Sequence, residues 1–239
     1  MQSSFSLTTR TALFLLPLPL FAFLVWLKFS HSPIYWQIIQ EDHILENQQF
    51  AFYLLAGLIA IPAARHFLKA GYKLHGILYS GLALMLVVVA MDEISWGQRI
   101  FNIETPEVIA ERNVQDEITI HNLEVFQFHL HAAYIAVGAF GAFAWLLRLP
   151  FNPRENSIWR YVIADWYVSS WFFFLFLIYC IIDIAHYFEP TVFGHQIAIG
   201  NPVIFRDQEP AESFLATAFL IFVIDNYRKS KRLTRRYSA

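Results

Sequence analysis

Six apolar runs set the terms on which this chain can fold. They cover about residues 11–28, 50–68, 74–94, 125–147, 165–187 and 211–227. A run of about 20 apolar residues matches a helix crossing about 30 Å of hydrocarbon. Six such runs in 239 residues leave too little polar sequence to wrap a water-facing domain. The chain is 57% hydrophobic and 15% charged, whereas soluble domains carry about 25% charged residues. Backbone polar groups in lipid must be satisfied within their own segment, so each run is expected to be a helix. The fold expected is therefore all-α and polytopic, with six transmembrane helices in a single membrane domain over 1–239. No fixed-period repeat and no Ser/Gly linker divides it. The first run is expected to be a retained helix: no small-x-small cleavage site follows it, and the chain continues Trp26-Leu27-Lys28-Phe29-Ser30.

Charge orients the helices. If loops alternate between two sides, only Lys28, Arg99, Arg112 and Arg206 of the 17 Lys and Arg fall on one side. The other 13 accompany both termini, residues 65–74 and residues 148–160. The positive-inside bias makes that second side cytoplasmic, with both termini inside. The basic tail from Arg228 to Arg236 then reads as a topology anchor touching anionic headgroups rather than a nucleic-acid contact. The acids run the other way. Only Glu155, Asp165 and Asp225 lie toward the basic side, and the other 16 sit in or beside the outer loops. Acids contribute little to insertion, so topology alone does not require this asymmetry.

The outer polar groups are densest in the loop 95–124 and at the end of the run before it. Here stand Asp92-Glu93, then Trp96-Gly97-Gln98-Arg99, then Thr105-Pro106-Glu107, then His121-Asn122. Thr105-Pro106-Glu107 carries an N-cap, an N1 proline and an acidic first turn, so a short surface helix is expected there. Glu46 precedes the second run; Asp183, His186 and Glu189 close the fifth; Glu209 and Glu212 open the sixth. Ionisable groups at membrane depth usually face the bundle interior and pair. Their gathering on one side is the sequence image of a pocket open to the periplasm.

Glu93, His121 and Arg99 are the candidate acid–base groups, with Arg99 placed to hold an anionic group. Glu46, Asp92, Gln98, Asn122 and Glu212 are candidate binding groups. Glu117/His121, His121/Glu124, Asp183/His186 and His186/Glu189 have helical i,i+3 or i,i+4 spacing, so each pair shares a face. Carboxylate and imidazole from two helices can ligate a divalent metal, and Glu93, His121 and His186 form the candidate set. His129 and His131, two apart, lie on different sides of a helix. Each group also has a local explanation. Asp92 or Glu93 can pair with Arg99, His121 and Asn122 can cap the next helix, and Asp183 can bond His186 across one turn. Ser95 near Glu93 and His121 gives a Ser-His-acid set without a Gly-x-Ser-x-Gly context. There is no Gly-rich phosphate loop or dinucleotide fingerprint. The lone Cys180 cannot form an internal disulfide.

The string Glu93-Ile-Ser-Trp-Gly-Gln-Arg99, with Thr105-Pro106, Asn113-x-Gln115-x-Glu117, His121-Asn122 and the acidic entry Glu41-Asp42…Glu46, resembles a group of bacterial multi-pass membrane proteins with no assigned activity. The resemblance covers residues 40–125 and implies a membrane location only. A second, partial similarity is to the alkaline ceramidase-like membrane hydrolases, which use intramembrane Ser, Asp and His around zinc. It would give such parts to Asp92-Glu93, Ser95, His121 and His186. The chain departs from that pattern: six expected spans rather than seven, and no His-x-x-x-His. Three function classes remain. They are a membrane-embedded enzyme acting on a lipid or lipid-linked substrate, an accessory subunit docking a membrane partner, and a proton-coupled transporter using Glu46, Glu93 and Glu212 as relays. The inner halves of the runs lack polar residues, which argues against the last.

Overall fold

The computed structural model describes residues 5–40, 43–101, 103–110, 118–119, 124–151, 153–154, 156–188, 191–192, 195–196 and 208–237. The side chains of 99–100, 108, 110, 124–128, 151, 185–188, 191–192, 195–196 and 236–237 lie outside that description. The expected Glu117/His121, His121/Glu124, Asp183/His186 and His186/Glu189 faces therefore lie outside the described side chains.

The described chain is helical apart from an antiparallel pair of two-residue strands, β1 (Thr191–Val192) and β2 (His195–Gln196). Five segments are helical and long and apolar enough to cross a membrane: Leu7–Ser30, Ser32–Lys69, Lys73–Glu93, His129–Pro150 and Trp166–Ile184. Leu55, Leu58, Ile61, Leu84, Met85, Ile181 and Ile184 on these segments are exposed. Such an apolar exterior is compatible with a multi-pass membrane protein, because lipid leaves no reason to hide it.

The first run is broken into α1 (Leu7–Leu15) and α2 (Pro17–Ser30). Pro17 and Pro19 lack the N–H groups that would continue the ladder. α3 (Ser32–Ile39) occupies sequence expected to be loop, and α4 (Ile44–Lys69) begins six residues before the apolar run it carries. α5 (Lys73–Glu93) returns beside α4 through a turn in which Gly71 takes a φ of 82°. A 3-10 turn over Ser95–Gly97, α6 (Gln98–Phe101) and α7 (Glu107–Ala110) follow. After Thr105-Pro106, where a short surface helix is expected, the described residues form a single helical turn, Glu107–Ala110. Next come α8 (Glu124–Phe143), a 3-10 turn over Ala144–Leu147, α9 (Arg148–Phe151), α10 (Trp159–Val162) and α11 (Trp166–Phe188). The last helix, α12, runs from Gln208 to Tyr237.

α12 contains the expected sixth run, yet it is not among the five segments apolar enough to cross alone. Glu209 and Glu212 crowd one end of its apolar stretch, and Asp225, Asn226 and Lys229 the other. It is nonetheless central. α4 packs on α5 and on α12, and α11 packs on α8, α12 and α1. Ala56, Ala60, Ala63 and Ala64 form a buried small-residue strip on α4, which lets helix backbones approach closely. Gly138 and Gly141 do the same on α8: a Cβ at Gly138 would lie 2.8 Å from the backbone nitrogen of Phe176.

Candidate functional site

One end of the bundle gathers side chains from five helices. Glu93, in the last turn of α5, is 9% exposed and Asp92 beside it 7%. Glu212, Glu209, Glu46 and Asp92 all act on Glu93 electrostatically. Three helices, α4, α5 and α12, thus bring carboxylates into one another's field. Tyr53 of α4, Tyr134 of α8 and Tyr179 of α11 feel the charges of Glu93, Glu212 or Glu209 as well.

Hydrogen bonds tie these groups together. The Tyr179 hydroxyl donates to Glu212 Oε1 at 2.6 Å. Gln49 Nε2 donates to Glu209 Oε2 at 2.9 Å and to the Glu209 carbonyl at 3.1 Å. Gln48 accepts from the Ser213 hydroxyl and reaches Thr217 at 3.5 Å. The Tyr134 and Tyr179 rings stack with centroids 4.7 Å apart. His131 packs edge-on against Tyr179, and its Nδ1 lies 2.8 Å from Asp183 Oδ1. A proton on Nδ1 serves Asp183 and leaves Nε2 to accept from the Gln208 amide, 3.0 Å away.

The segment after Glu93 is held in an uncommon shape. Ser95, Trp96 and Gly97 have φ of 48°, 55° and 80°, and two of the three are not glycine. The Trp96 indole donates to Asp92 Oδ1 at 3.1 Å, and the Gly97 N–H to the Ile94 carbonyl at 2.8 Å. Gln98 staples the loop: its Nε2 donates to Thr105 Oγ1 at 2.5 Å and its Oε1 accepts from the Ile118 N–H at 2.7 Å.

The sequence candidates therefore divide. Glu46, Asp92, Glu93 and Glu212 are brought together, with Glu209 added. Gln98 holds the loop instead of lining the site. His121 and Asn122 lie outside the described residues, as do the side chains of Arg99 and His186. Asp183 has a partner on another helix, His131. Among the described residues, no three His, Cys, Asp or Glu side chains are grouped so as to hold a metal ion. The set Glu93, His121 and His186 includes two side chains beyond that description. Sequence reasoning missed Gln48, Gln49, Tyr53, Tyr134, Tyr179 and Gln208, and named His131 without its partners Asp183 and Gln208. The available signal was helical spacing: Glu46, Gln49 and Tyr53 recur at i, i+3 and i+7 on one face of α4.

A second polar cluster closes the opposite end. Asp165, just before α11, accepts from Lys229 at 2.7 Å and from Arg148. Lys229 also pairs with Asp225 at 2.6 Å. Burial pushes the Asp165 carboxyl up, but Lys229 and Arg148 outweigh it and hold it down at about 2. Arg148 donates to the carbonyls of Trp159, Arg160 and Ile163, the exposed end of α10. The Tyr79 hydroxyl and the Asn226 amide both donate to the Tyr161 carbonyl, at 2.8 and 3.3 Å. Two of the three acids that break the sequence asymmetry, Asp165 and Asp225, are thus counter-ions for basic groups, and Glu155 lies outside the described residues. Between the two clusters the buried face of α4 is Ala56, Ala60, Ala63 and Ala64, and that of α12 includes Leu215, Ala216, Ala218 and Phe222.

These features define a helical bundle with an acidic, tyrosine-rich site at one end and an ion-paired clasp at the other. No protein family, curated protein or solved structure matches the chain.

Proposed function

We propose that the chain is a six-span bacterial inner-membrane protein whose periplasmic end holds an acid–base site acting on a lipid or lipid-linked substrate. The observation that carries this reading is the gathering of α4, α5 and α12 carboxylates around buried Glu93. Neighbouring carboxyls can divide the acid and base roles between them. The Tyr179 hydroxyl orients Glu212 for such work.

The sixth span rests on α12 accompanying α4 from end to end. Gln49 bonds Glu209 at one end, and His66 and Thr234 bond each other at 3.1 Å at the other. A helix tied to both ends of a spanning helix spans with it. Its polar residues are tolerated because they face partners inside the bundle instead of lipid. The bias of 13 Lys and Arg toward the side of both termini supports a cytoplasmic position for them. The apolar strip between the two clusters favours a site that works from one side over a through-path for protons.

The test is conversion. Purified protein would be incubated with a total bacterial lipid extract and the products read by mass spectrometry. The wild type is expected to generate a new lipid species, and Glu93→Gln to abolish it while melting at a similar temperature. A wild type that converts nothing, or a Glu93→Gln protein that converts as fast, contradicts the reading.

A further inference from the structure

The basic end of α12 is docked on the bundle, and it meets the last turn of α4. Ser230 is fully buried, and Leu233 is 2% exposed and belongs to the main core. His66, in the last turn of α4, ties that helix to Thr234 of α12. The Thr234 hydroxyl donates to the His66 carbonyl at 3.1 Å and accepts from His66 Nδ1 at the same distance. The opposite face of this part of α12 is cationic. Arg228, Lys231 and Arg235 are exposed there, with the i, i+3, i+7 spacing of one helix face.

Two cations from different helices converge at this seam. Among the described residues, the charges acting on His66 are those of Lys231 and Lys69, and both are positive. The Tyr227 ring fixes the place: Lys231 Nζ lies 5.8 Å from its centroid and the His66 ring 5.7 Å. Lys69 and Lys231 are exposed. Neither forms an ion pair among the described residues, where Asp165 and Asp225 are engaged by Lys229 and Arg148. Like charges held together without an acid repel one another, and the His66–Thr234 tie keeps the helices that carry them side by side. An anion between the two ammonium groups relieves that repulsion. Depth selects the anion. The apolar segment that carries α4 ends at Lys69, where hydrocarbon gives way to headgroups. α12 has 30 residues, a length of about 45 Å, which outruns a hydrocarbon layer of about 30 Å. The anions at that level are lipid phosphates, which basic side chains beside a membrane attract.

We propose that Lys69 and Lys231 clamp the phosphate of an anionic phospholipid in the leaflet at the basic end of the bundle. This requires α4 and α12 to cross together and is independent of the acid–base site at the other end. The test uses purified full-length protein in detergent, with bound molecules counted by native mass spectrometry. The probes are phosphatidylglycerol, phosphatidylcholine with the same acyl chains, and soluble glycerol phosphate. Phosphatidylglycerol is expected to bind at least about tenfold tighter than phosphatidylcholine, whose own ammonium neutralises its phosphate, as two lysines beside a headgroup would give. Lys69→Gln combined with Lys231→Gln is expected to bring that ratio within about threefold. Lys73→Gln combined with Arg154→Gln removes the same charge from exposed cations of the same end that do not act on His66. That pair is expected to leave the ratio within about twofold of wild type, which separates a clamp from a diffuse basic field. Equal affinity for the two lipids, glycerol phosphate binding as tightly as phosphatidylglycerol, or an equal fall in both double variants would overturn the proposal. Glu93→Gln is expected to keep the wild-type ratio, so the clamp and the acid–base reading stand or fall separately.

Discussion

Replacing Asp165 by Asn tests the clasp quantitatively. The carboxyl receives Lys229 at 2.7 Å and Arg148, and these cations hold it at about 2 against an ordinary value of 3.8, despite the opposing effect of burial. A carboxyl depressed by that much favours the folded state by about 2 kcal/mol at neutral pH. The sign follows from the direction. Below the folded value both states are protonated and the contribution is gone; above the unfolded value it is complete. Stability from this group is therefore present at pH 7 and is lost as pH falls from about 4 toward 2. Asp165→Asn is expected to cost about 2 kcal/mol at pH 7, and the gap to wild type should shrink steadily below pH 4. Denaturant unfolding in detergent, followed by tryptophan fluorescence across pH 2–7, measures both. A variant as stable as wild type at pH 7, or a gap that does not change between pH 4 and 2, would refute the reasoning.

Other substitutions probe packing and the site. Gly138→Ala should lose about 1–3 kcal/mol of stability by thermal melting, since its Cβ would meet the Phe176 backbone at 2.8 Å. Gly81→Ala, with nothing within 4 Å of its Cβ, should be neutral or up to about 1 kcal/mol stabilising in the same assay. Tyr79→Phe removes the 2.8 Å bond to the Tyr161 carbonyl and should cost about 1 kcal/mol. Tyr179→Phe leaves Glu212 without that donor and should slow lipid conversion by about tenfold or more, read as turnover by mass spectrometry.

Much of the fold was legible because the apolar runs are long and lipid imposes helix on each of them. Phe50 to Leu68 and Leu74 to Ile94 needed no more than that. Legibility failed where packing overrides composition. In Ile44–Gln49 only the polar spacing of Glu46, Gln49 and Tyr53 marks helix, since Gln48 and Gln49 turn inward to α12 and the apolar pattern begins only at Phe50. α12 is expected from its apolar run to cross, yet it is not among the five segments apolar enough to do so alone, because Glu209, Glu212, Asp225 and Lys229 crowd that run. The convergence of Glu46, Glu93 and Glu212 could be anticipated from their common side. The tyrosines could not: Tyr53, Tyr134 and Tyr179 look like ordinary aromatic residues of apolar runs, and only the geometry turns them toward the carboxylates. The pairing of Asp183 with His131 joins residues 52 apart, beyond the reach of helical spacing, which offered only the neighbouring His186.

The most direct measurement of whether the acidic ends of α4 and α12 meet is disulfide trapping in native membranes. On a Cys180→Ala background, Gln49→Cys is combined with Glu209→Cys, and in a control with Thr234→Cys. Mild oxidation is expected to join 49 to 209 and leave 49 and 234 unlinked, since Gln49 bonds both the carbonyl and the carboxylate of Glu209 while Thr234 bonds His66 at the other end of α4. Failure of the first pair to form, or equal trapping of both pairs, would contradict a polar site assembled from α4 and α12.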